Sequence, residues 1–143
     1  MPMKRYSIGA MILHWAIAIA VIWDWRLAEA AEHAPREQHF AVLQPHSALG
    51  MAILVLTLLR LIWRLTHRAP PFSSDLAVWE RWLARTVHVV FYVLLVGLPL
   101  MAWIGTSMWD QPTDFFGLFT IPNLPFGVNR GLGHDLQELH GTL

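Results

Sequence analysis

Cysteine is absent from the 143 residues of this sequence, and charged side chains make up only 14% of it. The absence of cysteine excludes disulfides, thiolate metal sites, cysteine-ligated iron–sulfur clusters and covalently attached c-type haem. Ten basic and ten acidic residues give a formal net charge of zero, so nothing in the composition indicates nucleic-acid binding. Any metal chemistry therefore depends on the eight histidines.

Apolar residues are abundant instead. They make up 55% of the sequence and include eight tryptophans, whose amphipathic rings favour membrane–water interfaces. This composition is unusual for a soluble domain of the same size. The length suits one domain, residues 1–143, and we expect an all-α, transmembrane helical bundle surrounded by lipid.

Three apolar stretches have lengths that suit membrane-spanning helices. They cover residues 8–26, 46–64 and 86–106, and a further helix is predicted to begin near residue 132. For the first stretch the alternative is a cleavable signal peptide, because residues 28–30 (AEA) resemble a small-x-small cleavage site. A histidine inside the stretch and the cluster at residues 24–26 (DWR) favour a retained helix.

The segments between the spans differ in character. Residues 27–44 are polar and are predicted to form a loop with some helical character, and residues 68–75 are a linker with two prolines. Residues 76–85 have helical spacing and lead into the third span, which Pro99 is expected to bend. Residues 107–127 are rich in Phe, Pro and Gly without helical periodicity, so we expect a lid over the helix ends.

The distribution of basic residues predicts the orientation. One side of the membrane carries more of them than the other, and by the positive-inside rule that side is cytoplasmic. The richer side holds Lys4, Arg5, Arg60, Arg64, Arg68, Arg81 and Arg85, and the poorer side holds Arg26, Arg36 and Arg130. The sequence thus predicts a multi-pass membrane protein with a cytoplasmic N-terminus.

The second span places polar groups along one helix face. His46 and Arg64 are roughly 27 Å apart along the axis and share a face. Gly50, one turn after His46, removes a side chain there, so a flat group could approach the backbone. A haem bound through His46 would use these features. The alternative is an interfacial histidine with arginines that snorkel to the membrane surface.

The depths of the histidines sort the candidate iron ligands. His46 and His140 open their helices from the outer side, whereas His14 lies about 9 Å below the cytoplasmic start of the first span and His88 begins the third span. Two imidazoles at one depth on different helices can bind one haem iron. For His14 the alternative is a structural hydrogen bond to a neighbouring helix. His33, His39, His67 and His134 lie in polar segments and are expected to be solvated.

Several motifs together resemble the bacterial cytochrome b561 family, the small four-helix dihaem b-type cytochromes of the inner membrane. They are RYSIGAMILHW, PHSALGMAILVLTLLRLIWRL with the following APP, HVVFYVLLVGLPL, FFGLF and the terminal LHGTL, in this order. The resemblance implies haem b held by His14, His46 and His140, with His46 and His140 sharing the outer haem. It also implies that the partner of His14 lies further along the fourth helix than His140.

On this resemblance we expect three complete spans and the start of a fourth, and at most one haem b in these residues where the family has two. Arg60 and Arg64 are candidates for contact with haem propionates or quinone. His88 and Tyr92, one turn apart, are candidates for a cofactor or quinone contact. No residue is assigned a catalytic role.

Two functions remain open, together with one alternative without haem. The first is electron transfer between an outer one-electron donor, such as superoxide, and membrane quinone, as in a superoxide:ubiquinone oxidoreductase. The second is a cytochrome or anchor subunit of a larger membrane oxidoreductase. The third is a haem-free membrane protein with structural histidines. A Soret band would separate the third from the others, and co-purification of a large partner would favour the second.

Overall fold

A computed structural model of the chain describes residues 5–143 and is helical over most of that range. Its helices are α1 (Ile8–His33), α2 (Arg36–Thr66), α3 (Val78–Met108) and α4 (Arg130–Thr142). Two short strands, β1 (Thr113–Phe115) and β2 (Phe119–Ile121), lie between α3 and α4. The predicted helical bundle is confirmed. Lys4, which entered the prediction of orientation, lies outside the described residues.

Local side-chain contacts set two of the helix starts. The Ser7 Oγ accepts the N–H of Ala10 at 3.3 Å at the start of α1. The Asn129 side chain accepts the N–H of Leu132 at 3.1 Å at the start of α4. In both cases a short polar side chain satisfies a backbone donor that has no partner within the helix.

The predicted loop over residues 27–44 is wrong for most of its length. Helix α1 continues to His33 and α2 already begins at Arg36, so only Ala34 and Pro35 separate them. The alanines and glutamates of this segment have high helix propensity, which outweighs their polarity. Pro35 forces an extended conformation on the residue before it and so interrupts the helix at this point.

The three long helices are each apolar and long enough to cross a membrane. The interior of the bundle is small, with Ile17, Ala48, Ile53 and Leu54 among its buried side chains. Many large apolar side chains point outward, including Trp15, Ile19, Ile62, Val89 and Val93. In water this surface would be costly, whereas in a bilayer it meets hydrocarbon and the helices satisfy their own backbone groups.

Helix α1 packs mainly on α2, α2 also contacts α3, and α3 packs on α4. The α3–α4 contact is made at Gly105 and Gly133. A Cβ on Gly133 would lie 2.7 Å from Cδ1 of Trp109 and 3.0 Å from the backbone oxygen of Gly105, closer than real side chains come. The two backbones approach this closely because neither residue has a side chain, as is common between membrane helices.

The segment after α3 folds back onto the end of that helix. The Trp103 indole donates to the backbone oxygen of Pro122 at 3.0 Å, and the N–H of Leu124 donates to the Ser107 Oγ at 2.9 Å. The strands β1 and β2 pair antiparallel within it. The predicted fold-back is therefore present, but the hairpin was not predicted, since three-residue strands give too little periodicity to recognise.

Candidate functional site

The imidazoles of His46 in α2 and His140 in α4 face each other at one end of the bundle. Their ring centroids lie 6.0 Å apart and their planes meet at 70°. Both residues are partly buried. The structure thus brings together the two histidines that the sequence places at one depth, while their role as iron ligands stays a prediction.

Each ring donates an Nδ1–H to a backbone carbonyl. The Nδ1–H of His46 donates to the backbone oxygen of Asp24 at 3.2 Å, and the Nδ1–H of His140 donates to that of Leu98 at 2.9 Å. Because Nδ1 carries the hydrogen, the neutral ring has its lone pair on Nε2. A metal-binding histidine commonly donates its other N–H to such a carbonyl, which fixes the tautomer and the ring orientation.

The spacing of the pair also fits a shared iron. A metal–imidazole bond of about 2 Å on each side of one ion puts the two ring centroids about 6 Å apart. The observed separation is 6.0 Å. In tautomer, donor type and separation, the residues present at this end suit bis-histidine ligation.

Gly50 lies one turn from His46 and borders Asp24 of α1. A Cβ at Gly50 would lie 3.7 Å from the Asp24 Oδ2, which is an ordinary contact. The helices are therefore no closer here than an alanine would allow. The predicted approach of a flat group at Gly50 stays a prediction.

A second set of candidate residues lines a cavity of about 370 Å³ near the other end of the bundle. We call it the inner cavity, after the predicted orientation. His14, Arg60, His88 and Tyr92 all border it. Along α2, Arg60 is roughly 21 Å from His46. The remaining lining residues are Ile17, Ala18, Val21, Ile22, Thr57, Val87, Phe91 and Leu95, most of them apolar.

Arg60 contacts His14 directly. Its Nη1 donates to the Nδ1 of His14 at 2.6 Å. A guanidinium has no acceptor, so Nδ1 must accept and the neutral ring carries its hydrogen on Nε2. His14 therefore has the opposite tautomer to His46 and His140, and in this arrangement its Nε2 offers no lone pair to a metal.

Other residues that line this cavity carry polar groups with unused hydrogen-bonding capacity. The Nδ1–H of His88 donates to the backbone oxygen of Ala84 at 2.6 Å, which leaves Nε2 as an acceptor. The hydroxyls of Thr57 and Tyr92 are buried without a hydrogen-bond partner among the described residues. Apolar walls with a few unpaired polar groups are typical of sites for small, mostly apolar molecules.

Two outcomes concern single residues. Sequence reasoning missed Thr57, although a hydroxyl one turn before Arg60 in an otherwise apolar run was the available signal. Arg64 is partly exposed and, within residues 5–143, is not among those that line the inner cavity.

A smaller cavity of about 210 Å³ is lined by residues that are close in sequence to His46 and His140, but by neither histidine. Ser47 is adjacent to His46, and Gln137 is nearly one turn from His140. The Gln44 Oε1 is buried without a partner among the residues described. The full lining is His39, Phe40, Leu43, Gln44, Ser47, Thr106, Gln111, Pro112, Thr113 and Gln137, which contains no carboxylate.

The remaining histidines lie on the surface. His33, His39, His67 and His134 are exposed in the structure, although the Nδ1–H of His39 donates to the backbone oxygen of Ala31 at 2.9 Å and His39 lines the smaller cavity. His134 is near Asp135 and Glu138, and all three side chains are largely exposed.

The sequence is similar to one known protein family and to several named proteins. The family model described as prokaryotic cytochrome b561 matches residues 5–143. A protein of Yersinia pestis named probable superoxide oxidase CybB is 32% identical over 98 residues, which are 68% of this chain and 56% of the relative. Cytochrome b561 homolog 2 of Escherichia coli (strain K12) is 23% identical over 83% of this chain and 64% of its own length. Homolog 1 of the same organism is 23% identical over 85% and 72%. The match thus spans little more than half of the Yersinia protein.

Proposed function

This chain belongs to the prokaryotic cytochrome b561 family, and from that membership we propose that it transfers electrons between an outer one-electron donor and membrane quinone. Its three long apolar helices make it a multi-pass membrane protein. Because the arginine-rich side of a membrane protein is usually cytoplasmic, the end with His14 and Arg60 is proposed to face the cytoplasm. The end with His46 and His140 would then face outward.

The observation that carries the proposal is the pairing of His46 with His140 at 6.0 Å. Both rings present Nε2 as an acceptor, because the backbone oxygens of Asp24 and Leu98 hold the Nδ1–H groups. These two residues would hold haem b, and Gly50 would border it. Haem, when bound, supplies one-electron redox chemistry, while the protein sets its ligation and surroundings.

The inner cavity is proposed as the quinone site. Its apolar walls suit the ring and the first part of the tail, and the hydroxyls of Tyr92 and Thr57 can donate to quinone carbonyls. Arg60 holds His14 through one N–H and retains others for a second acceptor. Arg64, one turn further along α2, would stabilise negative charge near the cytoplasmic surface. His88 offers Nε2 as an acceptor for a quinol hydroxyl.

The donor we propose is superoxide, which the name of the Yersinia relative suggests. Two superoxide anions each lose one electron and become dioxygen, and one quinone gains two electrons and two protons to become quinol. The smaller cavity, which Ser47 and Gln137 line, is proposed as the side from which the donor approaches.

The test is direct. Membrane-extracted protein is expected to show a Soret band and to produce quinol when superoxide is generated in the presence of a soluble ubiquinone analogue. Absence of haem would refute the proposal. Haem without quinone reduction, together with a large co-purifying protein, would favour the alternative of a subunit in a larger oxidoreductase.

A further inference from the structure

Asp24 of α1 contacts His46 with two of its oxygens. Its backbone oxygen accepts the Nδ1–H of His46 at 3.2 Å, and its side-chain Oδ1 lies 3.0 Å from the same nitrogen. The side chains of His46 and Asp24 are only 18% and 14% exposed. The imidazole N–H therefore lies between a carbonyl and a carboxylate of one residue.

One oxygen of the Asp24 carboxylate lacks a hydrogen-bond partner within residues 5–143. Oδ1 of Asp24 is buried and has no hydrogen bond with standard geometry among the described residues. A buried carboxylate oxygen without a donor is costly. The Nδ1–H of His46 is the donor within reach, and a small rotation of the ring would turn it from the carbonyl to Oδ1.

The second imidazole of the pair has a different partner. The Nδ1–H of His140 donates to the backbone oxygen of Leu98, which is neutral. The two rings thus differ in the groups around Nδ1. Among the residues that the structure describes, only His46 of this pair has a carboxylate oxygen there.

We propose that Asp24 is a positioning residue that orients His46 and lowers the reduction potential of the haem that His46 would bind. A carboxylate that accepts the outer N–H of a ligating histidine makes that ligand more basic. Its negative charge in a poorly solvated site also favours the oxidised iron, which carries the larger positive charge. This inference rests on the proposed haem ligation.

The experiment compares three haem-loaded, detergent-extracted proteins by redox titration: the unmodified chain, Asp24→Asn and Glu32→Gln. Asparagine keeps an oxygen that can accept the N–H but removes the charge. Glu32→Gln removes the same charge from an exposed position on α1 and is the matched control. At a fixed ambient potential, Asp24→Asn is expected to lower the ratio of oxidised to reduced haem about tenfold, which is about 59 mV for one electron. The control is expected to match the unmodified chain.

Equal potentials for Asp24→Asn and the unmodified chain would overturn the inference and leave the proposed function intact. If the unmodified chain bound no haem, the role of Asp24 and the proposed function would both be refuted. Should Asp24→Asn not retain haem, near-infrared magnetic circular dichroism of the oxidised unmodified protein replaces the titration. A charge-transfer band shifted toward the position of imidazole–imidazolate ligation is expected. A band at the position for two neutral imidazoles would refute the role of Asp24.

Discussion

The Nη1 of Arg60 lies 2.6 Å from the Nδ1 of His14, and this contact gives His14 the opposite tautomer to His46 and His140. His46 and His140 donate through Nδ1 and keep Nε2 available, whereas His14 accepts at Nδ1. Histidines that the sequence groups as ligands therefore fall into two classes in the folded chain.

The stoichiometry of haem follows from these classes. We expect residues 1–143 to bind one haem, at His46 and His140, and His14→Ala to retain it, because Arg60 occupies the Nδ1 of His14. A pyridine haemochromogen assay on protein of known concentration measures the ratio. A ratio near two, or loss of the outer haem in His14→Ala, would contradict this expectation.

The shared site predicts identical phenotypes for two variants. His46→Ala and His140→Ala are each expected to lose the same haem, since either change would remove one of the two ligands proposed for a single iron. The double variant should be no worse than either. Optical spectra of the three proteins provide the measurement, with His134→Ala as the control because His134 is exposed. Additive losses would assign the two histidines to different haems.

The absence of cysteine predicts non-covalent haem. Acid–acetone should extract all of it as protohaem and leave a colourless polypeptide. The measurement is the absorbance of both fractions, with a c-type cytochrome as the control that keeps its haem. Haem remaining on this chain would disprove the assignment to the b type.

The quinone site can be tested at Tyr92. Tyr92 lines the inner cavity and its hydroxyl is buried without a partner among the residues described, so Tyr92→Phe removes one donor and little volume. The loss of one hydrogen bond of about 1 kcal/mol is expected to raise the KM for a ubiquinone analogue roughly fivefold without changing haem content. Tyr6→Phe is the control, since Tyr6 is 51% exposed. Equal KM values in both variants would indicate that the quinone does not bind in this cavity.

The packing of α4 predicts a contrast between two glycines. A Cβ at Gly133 would lie 2.7 Å from Trp109, whereas one at Gly141 would meet nothing within 4 Å. Gly133→Ala is therefore expected to destabilise the docking of α4 by about 1–3 kcal/mol. It should also weaken haem binding, because His140 lies on the same helix. Thermal denaturation followed by the Soret band measures both variants, and Gly141→Ala should behave like the unmodified chain. Equal stability of the two would mean that Trp109 moves aside.

Much of the fold could be predicted because span length, hydropathy and histidine depth are local properties. The spans and the proximity of His46 to His140 follow from them. The connection between α1 and α2 could not be predicted by polarity alone, since residues 27–33 and 36–44 are polar yet belong to helices that continue beyond the apolar region.

The partners of individual side chains were harder to predict. Helical periodicity placed Arg64 on the face of His46, but Arg60 is the arginine that reaches a histidine, on the neighbouring helix. Asp24 was noted only as part of a polar cluster, and its contact with His46 depends on how α1 and α2 align. Such contacts depend on inter-helix register, which a single sequence does not specify.

That register has a consequence for the short break at Ala34 and Pro35. Three side-chain contacts at successive heights join α1 and its N-cap to α2: Ser7 with Trp63, His14 with Arg60, and Asp24 with His46. Surface connections usually tolerate added residues. One residue inserted within α1 or α2 and kept helical would instead shift the rest of that helix by about 1.5 Å and rotate it by about 100°, so the contacts beyond it would be lost together. The number of helical residues between these contacts thus sets the geometry of both ends of the bundle.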